Sequence, residues 1–378
     1  MKTLHDHLYQ DPLNPQPKRI LALDGGGIRG ALTLGILKSI EDKLRLRHGN
    51  DPNFRLCHYF DLIGGTSTGS IITSLLAIGK SVDEIQVMYQ SLGARVFGKS
   101  RILSLLRAGK FDVLELEALL EEQLGQETIG GTGLLTGICI VAKRADTGGT
   151  WAFLNHPDGK YFEANKGILL RNAVRASSAA PTYFDAEAFD VGNGEIGAFV
   201  DGGVSMHNNP AMLLFLMATT RGFPFHWRTG DDMLEIVSVG TGYAKNRRKV
   251  EECVGIAGVK WAPVVPAMLM DDADNHNQLI LQYISKSPTR KVINSEFGNL
   301  EDDLLTPKPL LHYLRYDVKL EQNELNDLGF TNIMAEKIRE MSDAANKEVL
   351  RDIGLEAGRR LVKDEHFPAV FDMKALNQ

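Results

Sequence analysis

Ser67 is enclosed by glycines in Gly65-Thr66-Ser67-Thr68-Gly69, and the run Phe60-Asp61-Leu62-Ile63-Gly64 before it reads as a buried strand. A serine between a strand and a helix, with glycine two positions to either side, is the pattern of a nucleophile elbow. The turn is so sharp that the serine is strained and larger neighbours would collide. The implied chemistry is covalent attack on an acyl carbon. Chance alone supplies roughly 0.15 such motifs in a chain of this length and glycine content, so the surrounding segments must carry the argument.

Two further segments fit that chemistry. Residues 19–23 read as a buried strand running into Asp24-Gly25-Gly26-Gly27-Ile28-Arg29-Gly30 and then an amphipathic helix over 31–47. Glycines at a helix entrance expose backbone N–H groups where the helix dipole is positive, a place suited to an oxyanion. Arg29 either adds charge beside that loop or is a solvated surface residue. Ala198-Phe199-Val200-Asp201-Gly202-Gly203 reads as a strand ending in a carboxylate on a glycine turn, with Asn208-Asn209-Pro210 opening the next helix. Strand ends are where α/β sheets present their reactive groups.

These blocks resemble the patatin-like phospholipase family: the glycine loop at 24–30, the elbow at 65–69, Asp201-Gly202-Gly203, and Arg175-Ala176-Ser177-Ser178-Ala179-Ala180-Pro181-Thr182-Tyr183-Phe184, in that order over about residues 18 to 220. The resemblance implies a three-layer α/β/α fold with a mainly parallel sheet and acyl-ester hydrolysis on membrane phospholipids at a bilayer surface. It implies a Ser67–Asp201 dyad, an oxyanion hole from Gly25, Gly26, Gly27 and Arg29, and no cofactor. Some bacterial members are anti-phage effectors switched on by cyclic nucleotides, so a cyclic-nucleotide activator is an implied partner, although no effector site is visible here.

The dyad makes chemical sense. Serine is a poor nucleophile without a base, and none of the 10 histidines lies in a comparable motif. A carboxylate is a weaker base than imidazole, so Asp201 must be partly desolvated. Oxyanion stabilisation then matters more.

The competing reading uses the same glycines. Gly25-x-Gly27-x-x-Gly30 between strand and helix satisfies the dinucleotide fingerprint of a Rossmann-type binding protein. Against it, Asp24 would face the pyrophosphate, and no ribose-binding acid ends a second strand.

Composition narrows the rest. A chain of 378 residues, 43% hydrophobic, can bury a large core. A net charge of −6 argues against binding a nucleic acid polymer. The scattered Cys57, Cys139 and Cys253 fit reduced thiols in a cytoplasmic protein. The N-terminus lacks the apolar stretch of a signal peptide, and the most apolar run, 211–218, is too short for a membrane span. The enzyme is therefore expected to work from the inner membrane surface, as a monomer or an oligomer.

Along the chain we expect an N-terminal segment at 1–17, a catalytic core at 18–220, and a part at 221–378 that completes the domain and is mostly helical after 260. Residues 136–144 and 150–154 read as a hairpin across Asp146-Thr147-Gly148-Gly149, and 234–239 as a buried strand. Helices are expected near 264–284, 332–353 and 355–363, the last two parted at Gly354, with a polar connection over 285–309.

Other residues have plainer readings. His207, six positions after Asp201, is expected to cap the following helix in preference to acting as a base, and Asp61 to bond nearby backbone in preference to a catalytic role. Asp271, Asp272, Asp274 and His276 read as solvated acids and not as a metal site. Lys99, Arg101, Arg107 and Lys110 among leucines, and Lys245, Arg247, Arg248 and Lys249, suit either contact with anionic surfaces or plain solvation.

Overall fold

Residues of opposite parity on the central strands enter two separate cores. Leu21, Leu23, Ile63, Ile138, Ile140, Val237 and Val239 belong to one apolar cluster. Ile20, Ala22, Leu62, Cys139, Val141, Leu234 and Ile236 belong to the other. A sheet covered on both faces explains why these strands are nearly continuous apolar runs in the sequence.

The computed structural model describes residues 2–92, 113–181, 183–192, 194–245, 248–255, 257–261 and 264–373. Lys99, Arg101, Arg107, Lys110 and Arg247 lie outside the described residues. The strands are β1 (Lys18–Leu23), β2 (Leu62–Thr66), β3 (Gly137–Arg144), β4 (Thr150–Leu154), β5 (Glu187–Asp190), β6 (Ile196–Asp201), β7 (Leu234–Val239), β8 (Ser285–Lys286) and β9 (Leu311–Tyr316). They form one sheet in the order β5-β6-β3-β2-β1-β7-β9-β8, with β4 also on β3. The pairings from β3 through β2, β1, β7 and β9 to β8 are parallel. Those of β4, β5 and β6 are antiparallel.

The principal helices are α1 (Gly30–Arg47), α2 (Thr68–Ala77), α3 (Val82–Leu92), α4 (Val113–Leu124), α5 (Leu170–Ser177), α6 (Ala211–Thr219), α7 (Val264–Ile284) and α8 (Lys347–Leu361). The first five and α8 pack into one core. Helix α6 and the last turns of α7 close the other. The fold is the expected three-layer α/β/α arrangement.

The C-terminal part departs from expectation in two places. Leu311–Tyr316 is a fully buried interior strand, hidden in the sequence because His312 and Arg315 interrupt its apolar pattern. Helix α8 runs straight through Gly354, which is not a break. A Cβ there would lie 2.2 Å from the Leu32 carbonyl oxygen, so glycine lets the backbones of α1 and α8 touch. The expected helix over 332–353 breaks into short turns, Ala335–Ile338 and Ala344–Asn346. The intervening backbone is drawn to the glycine loop, where the Met341 carbonyl accepts the Ile28 N–H at 3.0 Å.

Candidate active site

Strand β3 carries the device that joins the strand ends bearing Ser67 and Asp201. Along one edge Cys139–Lys143 pair with β4. Along the other, Gly137–Val141 pair with β2, which ends at Thr66. Strand β6 takes the vacated edge from the opposite direction, pairing Asp201 with Ala142. The C-terminal ends of β2 and β6 therefore meet head to head, with Ser67 leaving one and Asp201 ending the other. Gly202 fits at the junction, since a Cβ there would lie 2.3 Å from the Val141 carbonyl oxygen.

The elbow has the strained geometry expected of it. Ser67 has φ 54° and ψ −123° and immediately precedes α2. A Cβ on Gly65 would lie 2.2 Å from the Gly69 carbonyl oxygen, and one on Gly69 would lie 2.3 Å from that of Leu23. Both glycines are thus required by close packing of backbone on backbone. The Ser67 N–H donates to Ser177 Oγ at 2.9 Å, and that hydroxyl donates to the Val141 carbonyl at 2.6 Å. The last turn of α5 so clamps the serine's backbone.

Asp201 Oδ1 accepts the Gly203 N–H at 2.7 Å. The Ser67 side chain is its other hydrogen-bonding neighbour. Burial pushes the Asp201 pKa up to about 6, against the Ser67 hydroxyl and Gly203 N–H, which favour the ionised form. A carboxylate of that basicity can take a proton near neutral pH and return it.

The glycine loop lies against the serine: a Cβ on Gly25 would fall 3.2 Å from Ser67 Cβ. The Gly25 N–H, however, donates to the Asn208 carbonyl at 3.1 Å, so it is not free to hold an oxyanion. Among the described residues, the N–H groups of Gly26 and Gly27 have no protein acceptor. Two of the three expected backbone donors remain.

Arg29 is half-buried, and its Nε is enclosed without an acceptor. Burial lowers its pKa while the charges of Asp317, Asp24 and Asp271 pull the other way. It is a guanidinium set among carboxylates beside the loop, not a solvated surface residue.

The loop is held from below by residues the sequence reading passed over. Arg315 donates from Nη1 and Nη2 to both oxygens of Asp24, at 2.9 and 2.6 Å, and also bonds Ser238 and Asp317. Thr241 Oγ1 donates to the Gly25 carbonyl at 2.9 Å. A charge inside the apolar run Leu314-Arg315-Tyr316 was the available signal, because buried arginine implies a buried partner. Asn208 was read only as a helix opener, yet its carbonyl ties the loop to the segment after Asp201.

Asp61, as expected, accepts backbone, from Arg19 N–H at 2.9 Å, and it also holds the side chains of Lys2, His7 and Arg19. It sits at the start of β2, the opposite end from Ser67. His207 does not cap α6: Asn209 Oδ1 accepts the Ala211 N–H at 3.1 Å, while His207 Nδ1 is buried without a partner. Asp274 accepts from Asn209 Nδ2 and from Gln278 Nε2. Among the described residues no helix is long and apolar enough to cross a membrane.

This geometry argues against dinucleotide binding. The glycine loop faces the serine elbow, and Asp24, where a pyrophosphate would approach, is locked to Arg315.

Comparison with known proteins agrees. A family model described as patatin-like phospholipase matches residues 21–215. The cUMP-AMP-activated phospholipase of Escherichia coli is 32% identical over 229 residues, 59% of this chain and 64% of that protein. Patatin-like protein 2 of Arabidopsis thaliana is 28% identical over 322 residues, 76% of each chain. The cGAMP-activated phospholipase of Vibrio cholerae is 32% identical over 211 residues, 52% of this chain and 56% of that protein. The chain thus spans less than two thirds of the length of either bacterial relative. With the family model covering more than half of its residues, the chain belongs to the patatin-like phospholipase family.

Proposed function

We propose that this protein hydrolyses acyl esters of membrane phospholipids with Ser67 as nucleophile and Asp201 as base. The observation that carries the reading is the meeting of these two side chains at the ends of β2 and β6, beside a glycine loop with free N–H donors. Ser67 Oγ attacks the ester carbonyl carbon and its proton passes to Asp201. The N–H groups of Gly26 and Gly27 hold the negative oxygen. Collapse breaks the ester bond, and the leaving alkoxide takes the proton from Asp201. Water then attacks the acyl-enzyme, again giving its proton to Asp201, and the fatty acid departs with Ser67 restored. No step calls for a cofactor.

A further part of the proposal, activation, rests on the bacterial relatives, whose names describe activation by cUMP-AMP and by cGAMP. A cyclic nucleotide is proposed to switch this chain on, as befits an anti-phage effector, and its work is done from the cytoplasm at the inner membrane surface. Incubating whole-cell lipid with wild type and Ser67→Ala, each with and without cUMP-AMP or cGAMP, tests the Ser67 mechanism and the activation. Free fatty acid and lysolipid should appear only with wild type. Equal release by Ser67→Ala would end the Ser67 mechanism, and release unaffected by either nucleotide would end this activation.

A further inference from the structure

The carbonyls of the three loop glycines each accept a hydrogen bond, and the donors come from different parts of the chain. Thr241 Oγ1 donates to Gly25 at 2.9 Å, and the Arg29 N–H donates to Gly26 at 3.2 Å. The Gly27 carbonyl accepts from the Tyr89 hydroxyl at 3.1 Å. Tyr89 stands on α3, outside the sequence blocks that carry the candidate site.

The same hydroxyl meets Thr68 Oγ1, on the residue directly after Ser67 and in the first turn of α2. A carbonyl can only accept, so Tyr89 gives its proton to the Gly27 bond and accepts the Thr68 hydroxyl. The order is Thr68 O–H to Tyr89 O–H to Gly27 C=O. Both side chains are buried, and burial pushes the phenol pKa above its usual value, so the ring keeps the proton this order needs. The junction leaves no room for another side chain. A Cβ on Gly30 would lie 2.4 Å from the Tyr89 oxygen and 2.6 Å from Thr68 Oγ1, which explains the last glycine of the loop.

The effect on the loop is geometric. The peptide joining Gly27 to Ile28 is held at both ends, its carbonyl by Tyr89 and its N–H by the Met341 carbonyl at 3.0 Å. Gly27 has φ 58°, a left-handed conformation, and its attachment to that fixed peptide sets where its own N–H points. Tyr89 is placed in turn by the fastening of α3 to α1. The buried Glu41 carboxylate accepts the Val82 N–H at 3.2 Å, and Gln86 Nε2 donates to the Leu34 carbonyl at 3.3 Å.

We infer that Tyr89 is a positioning residue for acyl transfer: its hydroxyl ties the Gly27 peptide to the helix that starts at Ser67, and so fixes the oxyanion donors relative to the nucleophile. This rests on the proposed hydrolysis and adds a third element, α3, to the machinery of that site.

The test uses the full chain and Tyr89→Phe, which keeps the ring and removes the hydroxyl, with p-nitrophenyl butyrate as a soluble ester. At a temperature where circular dichroism shows both proteins folded, kcat should fall by about tenfold or more while KM stays within about twofold, because a misaimed donor weakens the transition state more than the bound ester. The acid limb of the rate profile, near pH 6, should stay in place, since Asp201 is untouched. Thr68→Ser should keep most of the turnover and Thr68→Val should lose part of it, with no added loss in a protein that already carries Tyr89→Phe. A lower melting temperature with kcat unchanged, a rise in KM alone, or a displaced acid limb overturns the inference. A wild type without esterase activity refutes the hydrolase reading on its own, and hydrogen exchange then decides the contact. Faster deuterium uptake over residues 24–30 in Tyr89→Phe than in wild type upholds the tie between loop and helix, and equal uptake overturns it.

Discussion

Asp24 and Arg315 stand 291 positions apart and form a two-point ion pair beneath the glycine loop, with contacts of 2.9 and 2.6 Å. The pair is buried, so its energetic meaning lies in what remains when one partner is lost. Arg315→Ala leaves Asp24 and Asp317 together without their cation and should destabilise the fold by about 3–5 kcal/mol. Arg315→Lys should recover only part of this, because an ammonium cannot match both carboxylate oxygens. Urea unfolding measures both. A loss below about 1 kcal/mol for Arg315→Ala would show that the pair does not anchor the loop.

Ser67 has a backbone geometry that side chains resist, with φ 54° and ψ −123°. Such residues store on the order of 1–3 kcal/mol. Ser67→Gly should therefore melt at a higher temperature than wild type, whereas Ser67→Ala should show no comparable gain. Both should lose turnover. If Ser67→Gly is no more stable than Ser67→Ala, the elbow is not strained in solution.

Asp201 supplies a pH signature. Burial raises its folded-state pKa from 3.8 to about 6, so the folded chain holds the proton more tightly than the unfolded chain. This group therefore lowers stability as pH rises from about 4 to about 6, and the penalty persists above that range; at most it amounts to roughly 3 kcal/mol. Asp201→Asn escapes it and should gain more stability over wild type at pH 8 than at pH 4. Turnover of wild type should fall as pH drops through about 6, where the base becomes protonated, while Asp201→Asn should be nearly inactive throughout. A rate profile flat from pH 5 to pH 8 would rule out Asp201 as the base.

Gly26 is packed against Thr241, whose Oγ1 would lie 2.2 Å from an added Cβ. Gly26→Ala must push the loop or Thr241 aside and misplace an N–H donor. Losing one oxyanion donor lowers turnover by about 10²–10³, or roughly 2.7–4 kcal/mol in the barrier. The expected result is a drop of that size in kcal/mol terms on a soluble ester, with KM little changed. Full turnover would assign the loop a purely structural role.

The candidate site was legible in the sequence because its signals are local. A strained serine needs glycines at fixed offsets, an oxyanion loop needs glycines at a helix entrance, and Asp201 ends a strand before a glycine turn. The two-sided sheet was also legible, since strands buried on both faces must be apolar throughout. Beyond the pairing of Ser67 with Asp201 and the glycine loop that the family resemblance implied, relationships between distant segments were not legible. Only the shared edge of β3 brings Asp201 to Ser67. Gly25 was ranked with Gly26 and Gly27 as a donor, but the fold spends its N–H on Asn208. Gly354 looked like a helix end and is a contact between helices, and Arg315 lay unread in a strand its own charge disguised. Local spacing dictates what a residue can do, whereas partners are set by packing among elements whose order in space the chain reveals only when folded.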